Sequence, residues 1–123
     1  MLSITERVVG DVTVLQLSGR LVFFEGDAML RQQVDDLVRQ GRLKILLDLG
    51  AVTYIDSAGI GMMIAKYLSV RRKGGDLKLL HLTARGLLVM TITRLLTVFE
   101  IFDSEEAALR SFAAQVTPPR ASP

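Results

Sequence analysis

Cysteine is absent from the 123 residues, which excludes disulfides and cysteine-built metal sites and accords with a reducing, cytoplasmic setting. Tryptophan is absent too, and aromatic residues make up only 6% of the chain, so a core drawn from its 50% hydrophobic residues must be mainly aliphatic. The three prolines, Pro118, Pro119 and Pro123, all fall in the last segment, so residues 117–123 are expected to be a disordered tail behind one domain spanning 1–116. Neither sign of charge dominates: 15 basic against 13 acidic residues give a net charge of +2. The basic run Arg71-Arg72-Lys73 sits where a helix should end, and cations there suit the negative end of the helix dipole. A nucleic-acid surface would need a broader basic face with stacking aromatics, so no nucleic-acid partner is expected. No apolar run approaches the ~20 residues of a membrane span, and Met1 to Arg7 alternates in polarity rather than forming a secretory signal, so no membrane insertion is expected.

What is present is a repeated alternation of strand and helix patterns. Leu2 to Val9 alternates, with Leu2, Ile4 and Val8 as candidate core residues. Gly10-Asp11 marks a turn, and Val12 to Leu17 alternates again, so a β-hairpin is predicted, broken at Ser18-Gly19. Asp27 is a candidate N-cap for a helix carrying Leu30, Val34, Leu37 and Val38 and closed by Gly41. Leu43 to Leu49 is a nearly continuous apolar run, as expected of a strand buried on both faces, and Gly50 to Tyr54 reads as a connector. Ser57 to Lys73 is predicted helical and stops at Gly74-Gly75. Leu77 to Leu82 reads as a strand and Thr83 as the N-cap of a third helix with Leu87, Leu88, Ile92 and Leu95 facing inward. Val98 to Phe102 is a short last strand, and Asp103 with Glu106 has capping-box spacing for a fourth helix. The order β-β-α-β-α-β-α-β-α calls for a single α/β domain: a mixed sheet of about five strands with about four helices and right-handed crossovers.

The chemistry concentrates in Asp48-Leu49-Gly50-Ala51-Val52-Thr53-Tyr54-Ile55-Asp56-Ser57-Ala58-Gly59-Ile60-Gly61, where a buried strand leads into a helix start. In open α/β sheets, sites favour the carboxyl ends of strands. Ser57 falls at or beside a helix N-terminus, where free N–H groups and the dipole favour a phosphate. The ordinary role of such a serine, or of Asp56, is an N-cap, and Asp48 would bond loop N–H groups. Gly59 and Gly61 each cost a helix about 0.5–1 kcal/mol relative to alanine, which local propensity does not repay. They let another backbone approach, from within the domain or from a partner.

These residues resemble a known family. Asp48-Leu49 with Tyr54-Ile55-Asp56-Ser57-Ala58-Gly59-Ile60-Gly61 looks like the central motif of STAS domains, particularly bacterial anti-sigma-factor antagonists. Gly19-Arg20-Leu21, Gly74-Gly75-Asp76-Leu77-Lys78-Leu79 and the stretch from Val98 to Leu109 resemble further elements of the family in the same order. The resemblance implies that the partner is an anti-sigma factor, a serine kinase with a histidine-kinase-like ATPase fold. It implies that this kinase phosphorylates Ser57, that the phosphorylated domain lets go, and that a serine phosphatase resets it. The partner-binding residues expected on this reading are Asp56, Ser57, Ala58, Gly59 and Gly61, with the exposed helix face near Met62 and Lys66. Two departures stand out. Val22 replaces a commonly acidic residue and is followed by Phe23-Phe24, which read either as core or as an apolar partner contact. Ala58 replaces a common second serine or threonine, leaving Ser57 as the motif's phosphorylation candidate.

An enzyme is the first rival. Ser57 at a strand–helix junction is similar to a hydrolase nucleophile elbow, but Ile55 stands where that elbow needs its first glycine. The single histidine, His81, lies in a predicted strand, and no glycine-rich phosphate loop with lysine and no metal-ligand cluster is present. No catalytic residue, cofactor or metal is therefore expected. The second rival is a STAS domain serving as accessory subunit of a lipid or anion transport system, or in a switching cascade without a sigma factor. Self-association as a homodimer is compatible with the sequence.

Overall fold

The structure, a computed structural model, describes residues 2–23, 26–83 and 98–114. The helix expected after Thr83 through Leu95, Phe24 and the tail 117–123 lie outside the described residues.

The hairpin forms as the alternation dictates. β1 (Leu2–Val9) and β2 (Val12–Leu21) pair antiparallel, with Val9 opposite Val12 and the turn at Gly10-Asp11, where Gly10 takes the left-handed φ of 63°. β3 (Lys44–Ile55), β4 (Asp76–Leu80) and β5 (Ile101–Phe102) add in parallel, giving a five-stranded mixed sheet in the order β1-β2-β3-β4-β5. α1 (Asp27–Arg39) and α2 (Ser57–Arg72) provide the two crossovers between parallel strands that fall within the described residues, and α3 (Glu105–Ala114) follows β5.

The strand period of two divides the core into two layers. Leu15 and Leu17 of β2, with Ile45 and Leu47 of β3 and Leu77 and Leu79 of β4, join Leu30, Val34, Leu37 of α1 and Met63 of α2. Val12, Val14, Leu46 and Leu80 point the other way, toward Ala108 and Phe112 of α3. Each fully buried leucine is worth roughly 1.5–3 kcal/mol, and the aliphatic composition suffices for both layers. Lys78 is an exception within the second layer. Its side chain is 1% exposed, its ammonium lies 4.6 Å from the Phe112 ring centroid, and it donates to Ser111 Oγ at 2.8 Å while pairing with Glu100 at 3.1 Å. The buried charge is thus paired and hydrogen-bonded, as burial requires.

Several boundaries differ from the sequence expectation. β2 does not stop at Ser18-Gly19 but bulges there, with register shifts between Gln16 and Ser18 and between Gly19 and Arg20, and continues to Leu21. The supposed connector Gly50 to Tyr54 is strand, because Ala51, Val52, Tyr54 and Ile55 pair with that continuation. Val8 is exposed, lying on the wet end of the edge strand. Asp27 is the first helical residue of α1, with Gly26 in the cap position. β4 ends at Leu80, and His81 turns out of the sheet in a left-handed conformation, its N–H donating to Phe102 O. Ser104, not Asp103, caps α3: its Oγ accepts from Ala107 N–H at 3.2 Å.

Candidate functional site

The site is the junction from β3 to α2, at the carboxyl end of the sheet. Val52 and Ile55 are buried and hold the strand to the core, and Ser57 emerges exposed at the next turn. Asp56, in extended backbone, is the N-cap of α2. Its Oδ1 accepts from Gly59 N–H at 2.9 Å and its Oδ2 accepts from Phe23 N–H at 3.1 Å. One carboxylate therefore fastens the first turn of α2 to the segment that leaves β2. Partial burial works to raise the Asp56 pKa, but the N–H groups of Gly59, Phe23, Ala58 and Asp56 itself prevail and hold it below the ordinary aspartate value.

The two glycines of the first turn have different reasons. At Gly59 a Cβ would lie 2.3 Å from Leu21 O and 3.0 Å from Leu21 Cγ, so the helix crosses the end of β2 at backbone distance. At Gly61 a Cβ would meet nothing within 4 Å, and the residue is exposed. The first glycine serves the domain's own packing. The second leaves a bare stretch of helix backbone open to the outside, one turn from Ser57.

Other side chains of the strand ends that meet at this junction are exposed. Phe23 is 57% exposed and Tyr54 43% exposed, and the Arg20 guanidinium lies 6.0 Å from the Tyr54 ring centroid. Of the two alternatives for Phe23, core or surface, the structure shows surface. Ala58 is half-buried beside Ser57. The expectation that Met62 and Lys66 share an exposed face is corrected. Met62 is buried, because α2 packs on both the sheet and α1 and so has a wide apolar arc. Lys66 is held against α1, donating to Asp35 Oδ1 at 2.8 Å. Asp48 is buried away from Ser57's surface and serves the backbone: its Oδ1 accepts from Gly50 N–H at 3.0 Å and lies 3.1 Å from His81 Nδ1. That pairing of Asp48 with His81 gave no signal in the sequence, since 33 residues separate them.

Chemically the junction offers the exposed hydroxyl of Ser57 at a positive helix end, beside a carboxylate whose oxygens are taken by backbone N–H groups. Asp56 is thus a positioning group rather than a free base. Among the described residues no cluster of three or more His, Cys, Asp or Glu is arranged to hold a metal ion, and no helix is long and apolar enough to cross a membrane.

Comparisons with known proteins bear on the family and the fold. The sequence model of the STAS domain matches residues 3–108. The anti-sigma-B factor antagonist of Bacillus subtilis is 32% identical over 83 residues, covering 67% of this chain and 74% of the relative. The crystal structure of an anti-sigma factor antagonist from Mycobacterium paratuberculosis superposes with a TM-score of 0.81 at 18% identity, over 92% of this chain and 95% of that one. The Bacillus cell fate determinant SpoIIAA, solved in its phosphorylated form, shares the fold with a TM-score of 0.70 at 19% identity, over 89% and 98% of the two chains.

Proposed function

The chain belongs to the STAS domain family, and we propose that within it this protein is an anti-sigma factor antagonist switched by phosphorylation of Ser57. Unmodified, it docks the α2 N-terminus onto an anti-sigma factor and so frees the sigma factor. The anti-sigma factor is also the serine kinase that modifies it, and a serine phosphatase restores the binding form. The names of its relatives support the general role. The phosphorylated state of a protein with the same fold supports the switch.

The observation that carries the reading is the exposed Ser57 hydroxyl next to the open backbone at Gly61. A phosphate adds about −1.5 to −2 charges. Placed on Ser57 it would stand beside the Asp56 carboxylate, in the middle of the surface that a partner's backbone must approach. Repulsion and desolvation there act directly on the interface, with no refolding of the domain. A loss of about 3 kcal/mol is more than a hundredfold in affinity. The contact surface comprises Ser57, Asp56, Ala58 and Gly61, with Phe23 as its apolar element. Gly59 contributes by setting how closely α2 lies on β2.

The test is the intact mass and phosphosite after incubation with Mg-ATP and the kinase-type anti-sigma factor of the same genome. A single phosphate on Ser57, absent from Ser57→Ala, is expected. An unmodified chain beside an active kinase would overturn the switch.

A further inference from the structure

The opposite pole of the domain carries a second feature that the switch does not use. There the β1–β2 turn, the loop from α1 to β3 and the turn from α2 to β4 enclose an open groove of about 470 Å³, lined by Val8, Gly10, Asp11, Arg42, Lys44 and Gly74 among others. Nothing lies within 4 Å of where a Cβ would stand on Gly10, Gly41 or Gly74, so at these three turns bare backbone faces the groove. Val8, 51% exposed, supplies an apolar wall.

Arg42 and Lys44 line this groove, and further basic residues lie on the helix ends that lead into it. Arg39 pairs with Asp36, Lys44 with Asp11 at 2.6 Å, and Arg71 with Asp76 at 3.3 Å. Those pairs neutralise each other. Arg42, Arg72 and Lys73 remain, all exposed, with no acidic partner among the described residues. The dipoles of α1 and α2 account for cations in their last turns, Arg39, Arg71 and Arg72. They do not account for Arg42, which lies beyond the α1 C-cap on the groove wall. Unneutralised charge around a concave, partly apolar groove favours an acidic chain segment seated in it over a flat anionic membrane.

We propose that this pole is a second docking surface, which takes an extended acidic segment of a protein partner with an apolar residue against Val8. It lies at the far ends of the strands from Ser57, so it is available whether or not Ser57 is phosphorylated and while the first surface is occupied.

The experiment uses the full chain and a fluorescein-labelled oligoglutamate peptide with a central leucine, followed by fluorescence anisotropy at low salt. Saturable binding is expected, equal for wild type and Ser57→Glu. The triple change Arg42→Glu, Arg72→Glu, Lys73→Glu should weaken it by about tenfold or more. The control pair Arg31→Glu, Arg110→Glu, which alters exposed charge elsewhere, should stay within about twofold. An equal loss per reversed charge in the control pair would mean that only net charge is read, and would overturn the site. So would preferential binding of anionic phosphatidylglycerol vesicles over the peptide. Amide shift mapping on the wild type keeps the test independent of the variants' folding: perturbations at Gly10, Gly41 and Gly74 support the groove, and perturbations at Phe23, Ser57 and Gly61 instead contradict it. Because the measurement needs no kinase, failure here leaves the Ser57 switch untouched, and failure of the switch leaves this surface untouched.

Discussion

Gly59 and Leu21 meet at backbone distance: a Cβ on Gly59 would stand 2.3 Å from the Leu21 carbonyl oxygen. The oxygen belongs to a paired strand, which cannot yield as a flexible side chain would. Gly59→Ala should therefore force α2 off the sheet and cost about 1–3 kcal/mol, as overpacking does. Gly61→Ala, two residues on and facing open space, should instead stabilise by about 0.5–1 kcal/mol through helix propensity. Urea unfolding of the two variants checks the opposite signs.

Asp56 spends its two oxygens on different elements. Asp56→Asn keeps one acceptor for Gly59 N–H but presents an amide nitrogen to Phe23 N–H, so it should preserve α2 while loosening the Phe23 segment. Asp56→Ala loses the cap as well, at a cost of about 1 kcal/mol. Hydrogen exchange at Phe23 separates the two variants.

The same carboxylate sets a pH dependence. Its folded pKa is held below the ordinary value, so the folded state binds its proton less readily than the unfolded chain. The stabilisation is whole above about pH 4 and disappears as the pH falls through the lowered pKa. Glu105, held down by the Arg7 guanidinium, and Asp11, held down by Lys44, act in the same direction. Unfolding free energies should fall on acidification below about pH 4, less steeply in Asp56→Asn. An unchanged slope would deny Asp56 this role.

Lys78 tests the second core layer. Lys78→Ala removes a buried side chain lying between the Phe102 and Phe112 rings and should cost about 2–5 kcal/mol. Lys78→Met keeps the volume and frees only the exposed Glu100 and the Ser111 hydroxyl, so it should cost less than about 1.5 kcal/mol. Thermal unfolding of the pair distinguishes packing from charge as what this lysine supplies.

Much of the domain was legible in the chain because local signals agreed with the fold. The Gly10 turn, the Leu30-Val34-Leu37 stripe and the Asp56-to-Gly61 motif all stand where their patterns put them. What escaped depended on partners distant in sequence. The strand from Gly50 to Tyr54 is exposed at every residue but Val52 and has no continuous apolar run, so only its pairing with the bulged end of β2 reveals it. Met62 lay off the apolar stripe of α2 and was expected outside, but a helix wedged between a sheet and α1 buries a wider arc than one stripe. Phe23 could not be assigned by residue type, since phenylalanine is usually core. Its exposure follows from its backbone being tied to Asp56 at the rim of the sheet.

The contact surface has its own test in Phe23 and Gly61. Phe23→Ser and Gly61→Arg should each weaken binding to the anti-sigma factor by at least about tenfold, while their melting temperatures stay near wild type, because both positions face outward. Loss of affinity with loss of folding would point to packing instead.

The most direct measurement is calorimetric titration of the kinase-type anti-sigma factor with this protein, unmodified and stoichiometrically phosphorylated on Ser57. The account predicts tight binding of the unmodified form and binding at least about a hundredfold weaker for the phosphorylated one. Ser57→Ala should match the former and Ser57→Glu should approach the latter. Equal affinities across the four proteins would contradict the switch.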